Sequence, residues 1–130
     1  MATAHGYIRV STQGQKDDGV SLDTQKAKIE AWADLNGYAL GGIHDDAAVS
    51  GHRTDREGLM AAINQAKRGD AIVVYSLSRF ARNTRHTLEL SEMLDKKGVD
   101  LVSLSEKIDT TSAAGKMVFR MMAVLSEFER

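Results

Sequence analysis

Three times this chain runs from a helix-period segment through a glycine into a short β-rich run: "ADLNGYALGGI" at Gly37, "NQAKRGDAIVVYS" at Gly69 and "MLDKKGVDLVSL" at Gly98. A glycine just past the last helical residue supplies the left-handed turn that commonly ends a helix. Each helix has a fitting start: Ser21 before "LDTQ", Asp55 before "REGL" and Asn83 before "TRHT", all residue types that cap free amides. Leu59, Ala62, Ile63 and Ala66 fall at i, i+3, i+4 and i+7, one helical stripe. Strands are expected near Ala4–Ser11, Tyr38–Asp45, Ala71–Tyr75 and Asp100–Leu104. Alternating strand and helix implies an α/β fold: a central, mostly parallel, four- to five-stranded sheet flanked by helices.

With 130 residues, the chain has the size of one domain around one core. It has no cysteine, which excludes a disulfide framework and thiolate metal sites and permits a reducing compartment. No apolar run approaches the ~20 residues that span a bilayer, so a soluble protein is expected. A net charge of −1 leaves the molecule without an overall basic footprint. That does not preclude a local arginine cluster around one phosphate.

The last segment, "AAGKMVFRMMAVLSEFER", is apolar around most of its circumference. One small sheet covers a single stripe of a helix. A second partner is therefore expected for the rest, and a Met-rich face suits an adaptable contact. The segment is read as a long dimerisation helix cut short at Arg130, with residues 1–112 as the core and 113–130 as the start of that helix. A plain closing helix is the alternative.

Open α/β sheets bind ligands beyond the carboxyl ends of their strands. The segments expected there are Ser11, "DDAAVSGHRTDR", "SLSRFARN" and "SEKIDTTS", bringing Ser11, Asp46, Ser50, Arg53, Arg56, Ser78, Arg79 and Arg82 to one edge. Neither GxGxxG nor GxxxxGK before Ser or Thr occurs, so no nucleotide-phosphate loop is indicated. His5, His44, His52 and His86 lack metal-ligand spacing and are read as surface or loop residues.

In "GYIRVSTQGQ", alternation puts Tyr7, Arg9 and Ser11 on one face of the first strand and Ile8 and Val10 on the other. An arginine in a central strand is costly unless paired. One reading ties Arg9 to an aspartate such as Asp46. The other sets it beneath Ser11, beside an anion that the hydroxyl attacks, with Arg79 and Arg82 pointing to the same place. Guanidinium groups hold phosphate through paired hydrogen bonds, so arginines around an exposed serine describe phosphoryl transfer. Gln25 lies on its helix's apolar stripe, either as a satisfied structural amide or in contact with that edge.

These motifs together, "YIRVSTQGQ", "SLDTQ", "DAAVSGHRTDREGL", "SLSRFARN" and the late "AGKMVFRMMAVLSEFER", resemble the catalytic domain of serine site-specific recombinases, the resolvases and DNA invertases. The resemblance runs in order along essentially the whole chain. It implies Ser11 as nucleophile, Arg9 two residues before it, and Arg79 and Arg82 as the pair in D-R-x-x-R. It also implies supporting or phosphate-contacting positions at Gln15, Gln25, Asp46, Ser50, Arg56, Ser78 and Arg130, the last beside Glu129. Ser78 departs from the pattern, because many members carry an aspartate there, and serine is a poor general acid or base at neutral pH.

By that resemblance, Ser11 attacks a DNA phosphodiester to give a 5′-phosphoserine intermediate. Strands are then exchanged and rejoined without metal, ATP or other cofactor. The implied partners are a double-stranded recombination site and a second copy, with dimers pairing into a tetramer in a prokaryotic cytoplasm. A DNA-binding region would follow the long helix. Two rivals make different predictions: an inactive recombinase-like assembly module, in which Ser11→Ala is silent, and a small phosphoester hydrolase with an enclosed pocket.

Overall fold

The computed structural model describes residues 2–9, 21–46, 57–81 and 84–128. In chain order these form β1 (Thr3–Ile8), α1 (Leu22–Leu35), β2 (Ala39–Asp45), α2 (Glu57–Gln65), β3 (Ala71–Val74) and α3 (Leu77–Phe80). They continue with α4 (Thr84–Lys97), β4 (Asp100–Ser103), β5 (Ile108–Asp109) and α5 (Ala113–Phe128). The sheet order is β2-β1-β3-β4-β5, parallel throughout except for the β4–β5 pairing. This is the expected α/β architecture, with the short antiparallel β5 as fifth strand.

The glycine punctuation behaves as its chemistry requires. Gly37, Gly69 and Gly98 sit at φ of 76°, 94° and 76°, where a side chain would clash with its own backbone. Ser21 caps α1, its Oγ accepting from the Thr24 amide at 3.1 Å. The starts expected at Asp55 and Asn83 lie outside the described residues.

Alternation along the central strands divides the core into two layers. Tyr7, Ile72, Val74 and Leu101 face α2, α3, α4 and α5, where Leu59, Ile63, Phe80, Leu94 and Phe119 pack. Ala4, Ile8, Val73 and Val102 face α1 through Ile29 and Ala33. The stripe Leu59, Ala62, Ile63 and Ala66 is buried throughout.

The expectation of surface histidines fails at His5, which is buried in β1. Its Nε2 lies 3.0 Å from Asp70 Oδ2, and Asp70 also accepts from the amides of Thr3 and Lys67 at 3.1 and 3.0 Å. The carboxylate partners one ring nitrogen of this strand histidine while Nδ1 is buried without a hydrogen-bond partner among the described residues, and spacing alone did not reveal the Asp70 contact 65 positions away. Burial acts to raise the Asp70 carboxyl, but the His5 bond and the two amides outweigh it and hold the group below its ordinary value.

A depressed folded-state value stabilises above the unfolded value near 3.8, and that contribution disappears as pH falls through the folded one. Asp70→Asn is therefore expected to cost ~1–3 kcal/mol at neutral pH, with the gap closing below about pH 4. Urea unfolding of both proteins across that range checks it; a gap independent of pH refutes it.

The chain's last helix rests on the core along one line. Phe119 is buried beneath it, and Asp95 on α4 binds Arg120 at 3.1 Å and Lys116 at 3.8 Å. A Cβ at Gly115 would lie 1.8 Å from the Asp109 carbonyl oxygen, so only glycine lets the first turn of α5 lie against β5. Met117, Val118, Met121, Met122, Val124 and Leu125 remain exposed, as the apolar circumference of this segment predicts.

Candidate active site

Parallel register brings the carboxyl ends of four strands to one edge. Tyr7 stands beside His44 and Val74, and Val74 beside Ser103. The crossover direction reverses between β1 and β3, since β2 and β3 flank β1 on opposite sides. Such a switch point opens a crevice between the segments leaving the two strands. Arg9 leaves β1 there and α3 leaves β3.

The Arg9 guanidinium crosses this crevice. Its Nε donates to the Arg79 carbonyl at 3.2 Å and its terminal Nη2 to the Ser78 carbonyl at 2.5 Å. Gln25, fully buried on α1, holds the Arg9 backbone from the other side. Its Oε1 accepts from the Arg9 amide at 3.3 Å and its Nε2 donates to the Arg9 carbonyl at 3.0 Å. Gln25 is thus a structural amide and an edge contact at once. It fixes the backbone of the residue that reaches α3.

Arg79 is 2% exposed, the largest side chain so deeply buried among the described residues. Burying a guanidinium is expensive, and a hydrophobic residue of similar volume usually stabilises as well or better. This arginine is kept at that depth beside the carboxyl edge of the sheet, within a segment gripped by Arg9. Ser78 is exposed, its Oγ 3.0 Å from that of Ser76.

Asp46 sits beside this group in a supporting position. Tyr7 donates to its Oδ2 at 2.6 Å, the Gly58 amide to Oδ1 at 2.8 Å and the Leu59 amide to Oδ2 at 3.4 Å. The carboxylate therefore ties β1 to the first turn of α2, where negative charge suits the helix dipole. The alternative pairing of Asp46 with Arg9 does not form; Arg9 turns to the carbonyls of α3 instead. Ser11, Gln15, Ser50, Arg56, Arg82 and Arg130 lie outside the described residues. Among those described, the edge brings together Arg9, Gln25, Ser78 and Arg79.

Residue-by-residue reading of the sequence missed Glu106. It stands in the turn after β4, within "SEKIDTTS", and both its carboxylate oxygens lie 3.3 Å from the Leu77 amide that opens α3. The only sequence signal is its place at the carboxyl end of a strand. The arrangement as a whole offers guanidinium charge and an exposed hydroxyl at an open edge, suited to an anion such as a phosphate diester.

The family model described as "Resolvase, N terminal domain" matches residues 4–130. The transposon Tn917 resolvase of Enterococcus faecalis is 37% identical over 125 residues, covering 96% of this chain and 61% of that protein. The DNA-invertase hin of Salmonella typhimurium is 37% identical over 131 residues, covering 100% of this chain and 62% of that protein. The chain thus spans about three-fifths of the length of these curated relatives. Among solved structures, the N-terminal catalytic domain of TP901-1 integrase superposes with a TM-score of 0.78 at 33% identity, covering 98% of this chain and 96% of that one.

Proposed function

The chain belongs to the resolvase N-terminal domain family, and from that premise we propose that it is the catalytic domain of a site-specific serine recombinase. Ser11 is the nucleophile. Its oxygen attacks a DNA phosphodiester, the Ser11 Oγ–P bond forms, and the P–O3′ bond breaks, leaving a 5′-phosphoserine and a 3′ hydroxyl. The serine proton leaves as the nucleophile forms, and the departing 3′ oxygen takes one up. The phosphoserine conserves the bond, and reversal by a 3′ hydroxyl from another strand rejoins the DNA without an energy source.

The observation that carries this reading is the junction of Arg9 and Arg79 at the switch point. Fixed guanidinium groups next to the strand that leads to Ser11 stabilise charge developing on the phosphoryl oxygens, and such stabilisation supplies much of the rate enhancement in phosphoryl transfer. In this reading Arg82 and Arg56, which the family resemblance implies, add their charge to the same task. Arg9 also acts as a brace, because two of its five N–H donors already hold α3.

Three further elements complete the proposal. The domain works as part of a longer recombinase whose DNA-binding region lies outside these residues, in keeping with the share of its relatives it spans. The uncovered side of α5 pairs with a second copy, and two such dimers meet at the recombination site. The place of action is the cytoplasm, where the DNA is. Among the described residues no helix is long and apolar enough to cross a membrane.

The experiment that tests the reading looks for the covalent adduct. The recombinase carrying this domain is mixed with DNA holding its recombination site and resolved on a denaturing gel, as wild type and as Ser11→Ala. A protease-sensitive protein–DNA adduct is expected from the wild type alone. An adduct that persists in Ser11→Ala moves the nucleophile elsewhere. If DNA is bound but neither protein forms an adduct, the inactive assembly module is the better reading.

A further inference from the structure

We infer that Glu106 is a positioning residue for the arginine edge: its carboxylate holds α3, and through α3 the guanidinium of Arg79, in register with Arg9. The inference rests on the recombinase reading above.

Helix α3 has only four residues, Leu77–Phe80. A single turn fixes many dihedrals for one or two internal bonds and does not persist by itself. Inside this turn the Arg79 amide bonds the Ser76 carbonyl at 3.0 Å and the Ala81 amide the Leu77 carbonyl at 2.9 Å. Ser76 stands at the cap position with extended dihedrals, yet its side chain makes no cap bond. Its hydroxyl goes to Ser78 instead. The local sequence thus leaves the first amide of the turn without a cap of its own.

Glu106 supplies that cap from 29 positions away, with both oxygens at 3.3 Å from the Leu77 amide. The carboxylate is itself fixed, since the fully buried Ser103 donates its hydroxyl to Oε1. The turn bearing Glu106 is pinned to the strand that leads into α3. The Leu104 amide bonds the Val74 carbonyl at 3.0 Å and the Ser105 amide the Tyr75 carbonyl at 2.7 Å. Lys107, next in the chain, holds a φ of 60°, a left-handed conformation that is strained for a non-glycine residue. The turn keeps that strain while directing Glu106 back over α3.

Opposite charges therefore grip the turn at its two ends. A carboxylate meets the amide that opens it, and the Arg9 guanidinium meets the carbonyls of Ser78 and Arg79. Both match the polarity of a helical turn. Without Glu106 the turn is held at one end only, and Arg79 is less often in place for the phosphate.

The test uses the same recombinase and recombination-site DNA, with Glu106→Ala and Glu106→Gln beside wild type and Ser11→Ala. Three quantities are read: the rate of adduct formation at saturating protein, the affinity for the DNA, and the thermal midpoint. Glu106→Ala is expected to slow adduct formation roughly tenfold or more, the scale on which losing a charged hydrogen-bond acceptor acts, with DNA affinity within about twofold. Glu106→Gln keeps an oxygen that can accept from both Leu77 and Ser103, so it should recover to within about threefold of wild type. A Glu106→Ala protein at the wild-type rate overturns the inference. So does a Glu106→Gln protein as slow as Glu106→Ala, or a defect that lies wholly in DNA affinity. If the wild type forms no Ser11-dependent adduct, the recombinase reading fails and this inference falls with it. A Glu106→Ala result at the wild-type rate beside a working wild type leaves that reading standing.

Discussion

Replacing Arg79 with methionine is expected to lower the rate of phosphoserine formation by about 10²–10³-fold, the cost of removing one fixed donor from a site of developing negative charge. Arg79→Lys should lose nearly as much. Lysine keeps the charge and most of the volume, but it is a point charge on a flexible stem and cannot form the planar two-donor contact. The pair of variants matters because Arg79 is buried. A slow methionine variant alone could reflect a rearranged core, whereas a lysine variant that melts near the wild-type temperature and is still slow isolates the geometry of the guanidinium. Rates are compared at equal amounts of folded protein, under single-turnover conditions on recombination-site DNA. An Arg79→Lys rate within about threefold of wild type would remove Arg79 from the group that stabilises the transition state.

The same site shows where reading a sequence succeeds and where it stops. Glycines 37, 69 and 98 and the stripe from Leu59 announced the helices, because backbone conformation and one-sided burial are local properties written in nearby residues. Arg9 was conspicuous because a charge in an apolar run violates the strand's own pattern. What Arg9 touches was not legible: its acceptors are carbonyls about 70 positions away, and every residue has a carbonyl. Asp46 looked like the natural partner on charge alone. Tyr7 and the first amides of α2 claim it instead, since the register that sets Tyr7 beside His44 is decided by sheet pairing. His5 was misjudged for the same reason, its partner arriving from the turn before β3. Glu106 gave almost no signal: an exposed glutamate in a polar turn is ordinary until the turn is seen to lie over α3.

The outer side of α5 carries the second large expectation. Met117, Met121 and Leu125 follow one another at i, i+4 and i+8, and with Ala113 and Val124 they line an open apolar groove. They are 63%, 56% and 59% exposed, so the core makes little use of them. Each such side chain is worth ~1.5–3 kcal/mol when fully buried. In a two-fold dimer every one counts twice, a gain of the same order as an association cost of about 4–15 kcal/mol. Lys116 and Arg120 on the groove's flank are already drawn toward Asp95, leaving the apolar line open to a second copy.

Met121→Glu puts a carboxylate in the middle of that line. Near a two-fold axis it would also meet its own copy, so burial and repulsion act together. The dimer dissociation constant is expected to rise by about 10³-fold, roughly 4 kcal/mol, while the thermal midpoint of the monomer barely changes because Met121 contributes little to the core. Sedimentation equilibrium over a concentration series reads both species. A wild-type chain that stays monomeric at about 100 μM, or a Met121→Glu chain that dimerises as tightly as wild type, would move self-association to another surface. If Met121→Glu abolishes dimers and adduct formation fails with it, while Arg79→Lys leaves dimers intact, assembly and chemistry separate onto two different elements that the sequence already set apart: a Met-rich helix and the arginines at the carboxyl edge of the sheet.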